Sequence, residues 1–281
     1  MFRLYNKKIL YLYNYMAPKI IFIVPYRDRK EHKQFFMKYM EFIMEDYKKE
    51  DYEIFFIHQC DSKPFNRGAM KNIGFLAMKQ KYPQDYGNIT FVFHDVDTVP
   101  YTKNLISYET THNRIKHFYG YRYALGGIVS IKGADFEKIN GYPNLWGWSM
   151  EDNMLQDRAL QHNIIIDRSV FFPIGAKAIL QFVDGIKKYI NKKEMAGYLN
   201  KNYPFGINNI KNLGYNFENE YINVQNFISE TNPIQQQFEE HDITTNKDGK
   251  VRLTHTERYG QQKSSLHQLK LNGMGTIFQR R

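Results

Sequence analysis

The chain has 281 residues, and 16% of them are aromatic, a composition that excludes a disordered chain and allows one large core. A formal net charge of +10 calls for an anionic partner but leaves nucleic acid, a membrane surface and a nucleotide phosphate open. The one cysteine, Cys60, excludes an internal disulfide framework and a multi-cysteine zinc site, and fits a reducing compartment.

In chain order, the first clear element is "KIIFIVPYRDR", a fully buried strand over Ile20 to Val24. It stops at Pro25 and delivers Arg27 and Arg29 to a loop. Phe36, Met40, Ile43 and Tyr47 recur at helical spacing, so an amphipathic helix is expected from about Lys30 to Tyr47. "YEIFFIH" reads as a second buried strand, followed by the loop "QCDSKPFN". In "RGAMKNIGFLAMKQ", Ala69, Met70, Ile73 and Ala77 share one face of a second helix. "ITFVFHDVD" reads as a third strand. Strand, helix, strand, helix, strand with short connections is the pattern of an α/β fold with a parallel sheet.

The second half is less regular. A strand is expected over Gly127 to Ile131, then a turn-rich segment, then a helix from about Glu151 to Gln161. Lys187 to Lys250 is polar and rich in Asn, and reads as irregular structure with short helices. "KDGKVRLTHTERYG" reads as a turn leading into one more strand. No run reaches the roughly 20 apolar residues of a membrane span, and no signal peptide stands out. A soluble, cytoplasmic protein is the expectation.

Ligands of open parallel sheets bind beyond the carboxyl ends of the strands. Arg27, Arg29, the Arg67 loop, Asp95 and Asp97 all fall on that rim. Cations converging with a carboxylate pair suit a nucleotide diphosphate held with a divalent metal. Strand alternation would turn Asp95 and Asp97 to one side, with Val96 packed on the other. Two such carboxylates repel unless a cation lies between them, and Mg²⁺ or Mn²⁺ favours oxygen ligands. The alternative is a pair of turn or capping carboxylates at a strand end.

"WGWSMEDN" holds both tryptophans, Trp146 and Trp148, beside Glu151 and Asp152. Aromatic faces next to carboxylates make a sugar-binding surface. In the first helical turn the dipole favours an ionised carboxylate, as a general base requires. The bland reading is a core tryptophan beside ordinary helix-start charges. Gly126 and Gly127 either admit a ligand close to the backbone or open a tight turn. His255 either completes a metal site from a C-terminal strand or is an ordinary surface or core histidine. No nucleic-acid recognition motif accompanies the positive charge.

"FIVPYRDRKEH", "FNRGAMKNIGF", "FVFHDVDTVP", "GGIVSIKGADFEKINGYPN" and "WGWSMEDN" together resemble the successive motifs of the β-1,4-galactosyltransferase family. They occur in the family's order and at similar spacing, from about Ile20 to Asp167. The resemblance implies a GT-A fold over residues 19–281, after an N-terminal extension of residues 1–18. Residues 19–132 would form a nucleotide-binding half and 133–281 an acceptor-side half. It also implies a Mn²⁺- or Mg²⁺-dependent, inverting transfer of a hexose from a UDP-sugar to a glycan, glycoprotein or other hydroxyl acceptor. Neither nucleic acid nor a membrane span enters that reading.

Carried over by motif, Pro25, Tyr26, Arg27, Arg29, Phe65, Arg67, Asp95, Val96, Gly126, Gly127 and Trp148 would bind the nucleotide-sugar. Asp97 would be the metal ligand and Asp152 the catalytic base, with Glu151 helping to hold the sugars. The chain departs from the family where a metal-binding histidine usually follows the acidic helix, since "AKAILQFVDGIKK" holds none. Ala124 stands where galactose users carry a large tyrosine, which leaves room for a 2-acetamido donor. The competing expectation is a carbohydrate-binding descendant that has lost strong catalysis.

Overall fold

The computed structural model describes residues 16–182, 187–191, 203–230 and 238–242. Its first third follows the apolar pattern of the sequence closely. β1 (Ile20–Tyr26) runs parallel to β2 (Tyr52–Gln59) and to β3 (Thr90–His94), with α1 (Lys30–Ile43) and α2 (Arg67–Lys81) as the connections. β1 is buried along its whole length because both sheet faces are covered. Ile21 and Ile23 join the core under α2, whereas Ile20, Phe22 and Val24 join the core under α1. Phe36, Met40 and Ile43 form the buried stripe of α1, which stops short of the expected Tyr47. Asn66 caps α2, its side chain accepting a hydrogen bond from the Ala69 amide at 2.8 Å.

The expected parallel arrangement holds for β1, β2 and β3, and beyond β3 the sheet is mixed. β4 (Thr98–Pro100) leaves the main sheet, and β5 (Arg114–Gly120) pairs antiparallel with β6 (Ile128–Lys132). β6 in turn pairs antiparallel with β3, Phe93 facing Val129. A strand returned by a short connection can only lie antiparallel, and β5 to β6 needs no crossover helix. α3 (Gly133–Lys138) and α4 (Glu151–Gln161) follow, α4 starting where the sequence places it. β7 (Ile165–Asp167) and β8 (Phe172–Pro173) both pair with β5, and β9 (Ile179–Gln181) pairs with β4.

β10 (Lys187–Ile190) pairs with a later strand, β13 (Glu239–Asp242), after the hairpin β11 (Lys211–Glu218) and β12 (Tyr221–Ile228). That hairpin corrects the expectation of irregular structure between Lys187 and Lys250. β12 lies parallel to β2 and extends the sheet, burying Ile222, Val224 and Phe227. Its alternation of apolar and Asn residues is a half-buried strand signal that the Asn-rich composition obscured. The sheet order is β11-β12-β2-β1-β3-β6-β5-β7, with β8 beside β5. No helix among the described residues is long and apolar enough to cross a membrane. The "KDGKVRLTHTERYG" strand and His255 lie outside the described residues.

Candidate functional site

The carboxyl ends of β1, β2 and β3 open onto a cavity of about 360 Å³. Its floor is the turn after β3. The expected third strand stops at His94, so Asp95, Val96 and Asp97 form a turn rather than alternating strand positions. Backbone bonds shape this turn: the Asp95 amide donates to the Gly127 carbonyl at 3.0 Å, and the Phe182 amide donates to the Asp97 carbonyl at 2.8 Å. Asp95, Val96 and Asp97 all line the cavity, and Val96 also joins the core under α1. Beneath them His94 is fully buried near Phe22 and Phe36, its Nδ1 donating to the Asp95 carbonyl at 2.9 Å. Burial pushes its imidazole down to about 4, so it is a neutral anchor for the turn.

From β1, Pro25, Arg27 and Arg29 reach the cavity wall, and Phe65 and Arg67 reach it from the second loop. Arg27 is heavily engaged with that loop. It donates to the Gln59 carbonyl at 3.1 Å and the Asp61 carbonyl at 2.8 Å, and pairs with the Asp61 carboxylate at 3.1 Å. Its guanidinium also lies 5.7 Å from the Phe65 ring centre. Arg27 thus fastens the loop that presents Phe65 and Arg67. Tyr26 is not on the cavity wall; it packs against Phe56, His58 and Tyr221 in the α1-side core. The strand's own alternation turns Tyr26 with Val24 and away from Pro25.

The start of α4 and the glycine pair before β6 complete the lining. Asp152 lines the cavity and meets the Lys71 ammonium at 3.1 Å through Oδ1. Gly126 lies so close that a Cβ there would come within 2.3 Å of Asp152 Oδ2. Gly127 has φ +73°, a conformation that suits glycine. Gly126 thus admits the close approach of Asp152, and Gly127 turns the backbone. His117 holds this segment from behind, its Nε2 lying 3.0 Å from the Tyr119 carbonyl and 3.1 Å from that of Gly126. Arg168 donates to its Nδ1 at 2.9 Å, and burial first, then Arg168, push the imidazole down to about 3.

Glu151 differs from its neighbour. It is 2% exposed, is not part of the cavity wall, and pairs with Arg67 at 3.1 Å. Burial pushes its carboxyl up to about 7 even though Arg67 opposes that rise. Desolvation here works against the dipole effect of about 1 kcal/mol that favours the ionised form. The tryptophans also divide. Trp148 lines the cavity, but Trp146 is buried and stacks on Phe227 at 5.3 Å, so the sugar-binding reading does not extend to it.

Reading the sequence missed Lys71, Tyr119, Tyr121 and Gln181. The last three line the cavity, and the Tyr119 hydroxyl donates to Gln181 at 2.6 Å. Only the Arg67/Lys71 spacing, four residues apart on one helix, gave any signal for Lys71. Gln181 lies opposite Thr98, which follows Asp97, and this neighbourhood has no sequence signature.

Among the described residues no three His, Cys, Asp or Glu side chains are grouped to hold a metal. The carboxylates of Asp95 and Asp97 on the cavity floor supply hard oxygen donors. Mg²⁺ and Mn²⁺ are commonly held by one or two carboxylates with substrate phosphates and water, and the donor set here fits that pattern.

A cavity at the carboxyl edge of a mostly parallel sheet, lined by cationic and acidic side chains, is an α/β ligand site of the open-sheet type. The N-terminal region of glycosyl transferase group 7 matches residues 15–109, and the N-terminal domain of galactosyltransferase matches residues 108–176. Together they span more than half the chain, which belongs to the β-1,4-galactosyltransferase family of glycosyl transferase group 7. β-1,4-galactosyltransferase 4 of Cricetulus griseus is 32% identical over 161 residues, 53% of this chain and 45% of that protein. β-1,4-galactosyltransferase 1 of Homo sapiens is 29% identical over 167 residues, 53% of this chain and 39% of that protein. The chain therefore matches less than half the length of these relatives. Among solved structures, the catalytic domain of Drosophila β1,4-galactosyltransferase 7 in complex with xylobiose superposes with a TM-score of 0.59 at 22% identity. That match covers 76% of this chain and 95% of the other. A mutant of that enzyme, in complex with manganese, UDP-Gal and xylobiose, gives a TM-score of 0.56 at 21% identity. The GT-A-like fold is shared.

Proposed function

We propose that the chain is a metal-dependent, inverting glycosyltransferase. It moves a hexose from a UDP-sugar to an acceptor hydroxyl on a glycan, glycoprotein or other molecule, and forms a β-glycosidic bond. The observation that carries this reading is one cavity lined by Asp95, Asp97, Arg29, Arg67 and Asp152 together. Its volume lies within the range typical of small-molecule sites.

In this reading Arg29 and Arg67 attract the diphosphate, while Pro25, Phe65 and Val96 pack against the nucleotide. Arg27 acts through the loop it fastens. Asp97, with Asp95 beside it, holds Mn²⁺ or Mg²⁺, which when bound stabilises charge on the departing diphosphate. Trp148 covers the sugar, and Gly126 and Gly127 let it approach the backbone. Asp152 takes the proton of the acceptor hydroxyl as that oxygen attacks the anomeric carbon from the face opposite UDP. One displacement inverts the centre, so an α-linked donor gives a β-glycoside. Glu151, buried behind Arg67, steadies that guanidinium. Galactose fits the family, and Ala124 on the cavity wall leaves room for N-acetylhexosamine or glucose. The lone cysteine is compatible with a reducing, cytoplasmic setting.

The test is a panel of UDP-sugars with Mn²⁺, measuring UDP release with and without acceptors. Release that requires the divalent cation and disappears in Asp152→Asn and Asp97→Ala supports the reading. Wild-type rates in both variants would sink it. Calorimetric sugar binding with no release from any donor would favour the carbohydrate-binding descendant.

A further inference from the structure

Lys71 sits in α2 with only 1% of its surface exposed, among the least accessible lysine positions a fold can offer. Its ammonium has two partners. Asp152 Oδ1 lies at 3.1 Å, and the centre of the Tyr142 ring lies at 4.3 Å. Both partners belong to the Asp152 wall. The Tyr142 hydroxyl donates to the Leu125 carbonyl at 3.3 Å, and the Leu125 amide donates to the Asp152 carbonyl at 2.8 Å.

A buried ion pair is seldom the most stable way to fill such a place. Desolvating both charges cancels most of their attraction, and an apolar side chain of similar volume is often as stable or more so. The surroundings would accept one, since Met70, Ile73 and Tyr142 are all buried beside this turn of α2. The ammonium is therefore best explained by what it does to Asp152 rather than by packing.

We propose that Lys71 is a positioning residue for the proton-accepting carboxylate, a role that rests on the glycosyltransferase reading above. By donating to Oδ1 it occupies one of the two carboxylate oxygens and fixes the rotation of the group. Oδ2 is left as the oxygen next to Gly126 on the cavity wall. The acceptor hydroxyl then meets one oxygen in one orientation. Arg67 and Lys71, one turn apart, pair respectively with Glu151 and Asp152, so α2 sets the register of the α4 start against the cavity.

The test compares full-length wild type, Asp152→Asn, Lys71→Met, Lys71→Gln and Lys71→Arg in UDP release, alongside thermal melts. Activity in wild type and its loss in Asp152→Asn establish the underlying reading first. If Asp152→Asn keeps full activity, the base assignment fails, and the role of Lys71 fails with it. With that reading standing, Lys71→Met is expected to melt at or above the wild-type temperature. Its kcat is expected to fall at least tenfold while the donor KM stays within about twofold. Lys71→Arg, which keeps a cation, is expected to recover part of kcat. A kcat within twofold of wild type in Lys71→Met and Lys71→Gln would overturn the proposal. So would loss of the folded state in both, which would make Lys71 a structural residue only.

Discussion

On the turn side of the cavity, Asp95 and Asp97 are placed by backbone hydrogen bonds, the Asp95 amide donating to Gly127 and the Phe182 amide to Asp97, on a turn anchored by a neutral His94. On the helix side, Glu151 and Asp152 are placed by side chains, each by one cation from α2. The two walls carry the same kind of group held by different means. A main-chain scaffold fixes where a carboxylate begins. An ion pair fixes the carboxylate itself, which suits a group that must receive a proton in one direction. The contrast teaches that acidic residues with similar sequence signals divide their work according to what holds them.

The largest effect should come from breaking the helix wall at its exposed member. Asp152→Asn keeps shape and removes the proton acceptor, so kcat is expected to fall by about 10²–10⁴-fold in a UDP-release assay with acceptor. Breaking the turn wall with Asp97→Ala should lower kcat/KM by roughly 10²-fold and raise the Mn²⁺ concentration needed for half-maximal rate. Those two titrations separate the walls, because Asp152→Asn should leave the Mn²⁺ requirement unchanged.

The tryptophans sharpen the comparison next. Trp146→Ala removes a core ring stacked on Phe227 and is expected to cost about 3–5 kcal/mol, read from denaturant unfolding. Trp148→Ala should leave unfolding nearly unchanged and weaken donor turnover instead.

The smallest effect concerns pH. His94 and His117 are held neutral, at about 4 and about 3, below the ordinary 6.5 of an unfolded chain. The stability they contribute is complete above pH 6.5 and is lost as pH falls, because the unfolded state takes up protons first. Glu151 acts the other way. Raised to about 7, it weighs on the fold when ionised above that pH, and the burden lifts as pH falls towards 4.5. Two histidines outweigh one glutamate, so melting temperature should drop between pH 7.5 and pH 5. His94→Leu should make that drop smaller by roughly 3–6 °C. An unchanged drop would mean that His94 is not held neutral.

The β1-α1-β2-α2-β3 half was legible because its strands are buried on both faces and read as continuous apolar runs, and its helices carry a clean stripe. So was the gathering of Arg27, Arg29, Arg67, Asp95 and Asp97 on one rim, which follows from strand ends in a parallel sheet. What stayed hidden depends on tertiary neighbours. The direction of β5 and β6 rests on a short return that local pattern does not encode. Glu151 and Asp152 are adjacent letters of the same charge, and only burial separates a group raised to about 7 from one lining the cavity. Trp146 and Trp148 divide for the same reason. Lys71 gave no signal beyond its spacing from Arg67, because a lysine in a helix ordinarily marks a solvated face, and this one is enclosed.

β12 closes the edge of β2, and its contribution extends to how the protein can be handled in the laboratory. The segment that matches the family ends at residue 176, ahead of this strand. A version trimmed there would keep every proposed donor-site residue except the opposing β10 contact to Trp148. It would also uncover the backbone of Phe56–Gln59 in β2, a free rim that is a template for pairing with other chains. Such a truncation should be recovered as aggregates rather than as a smaller enzyme, so the hairpin at residues 211–228 sets the minimum length of a soluble fragment.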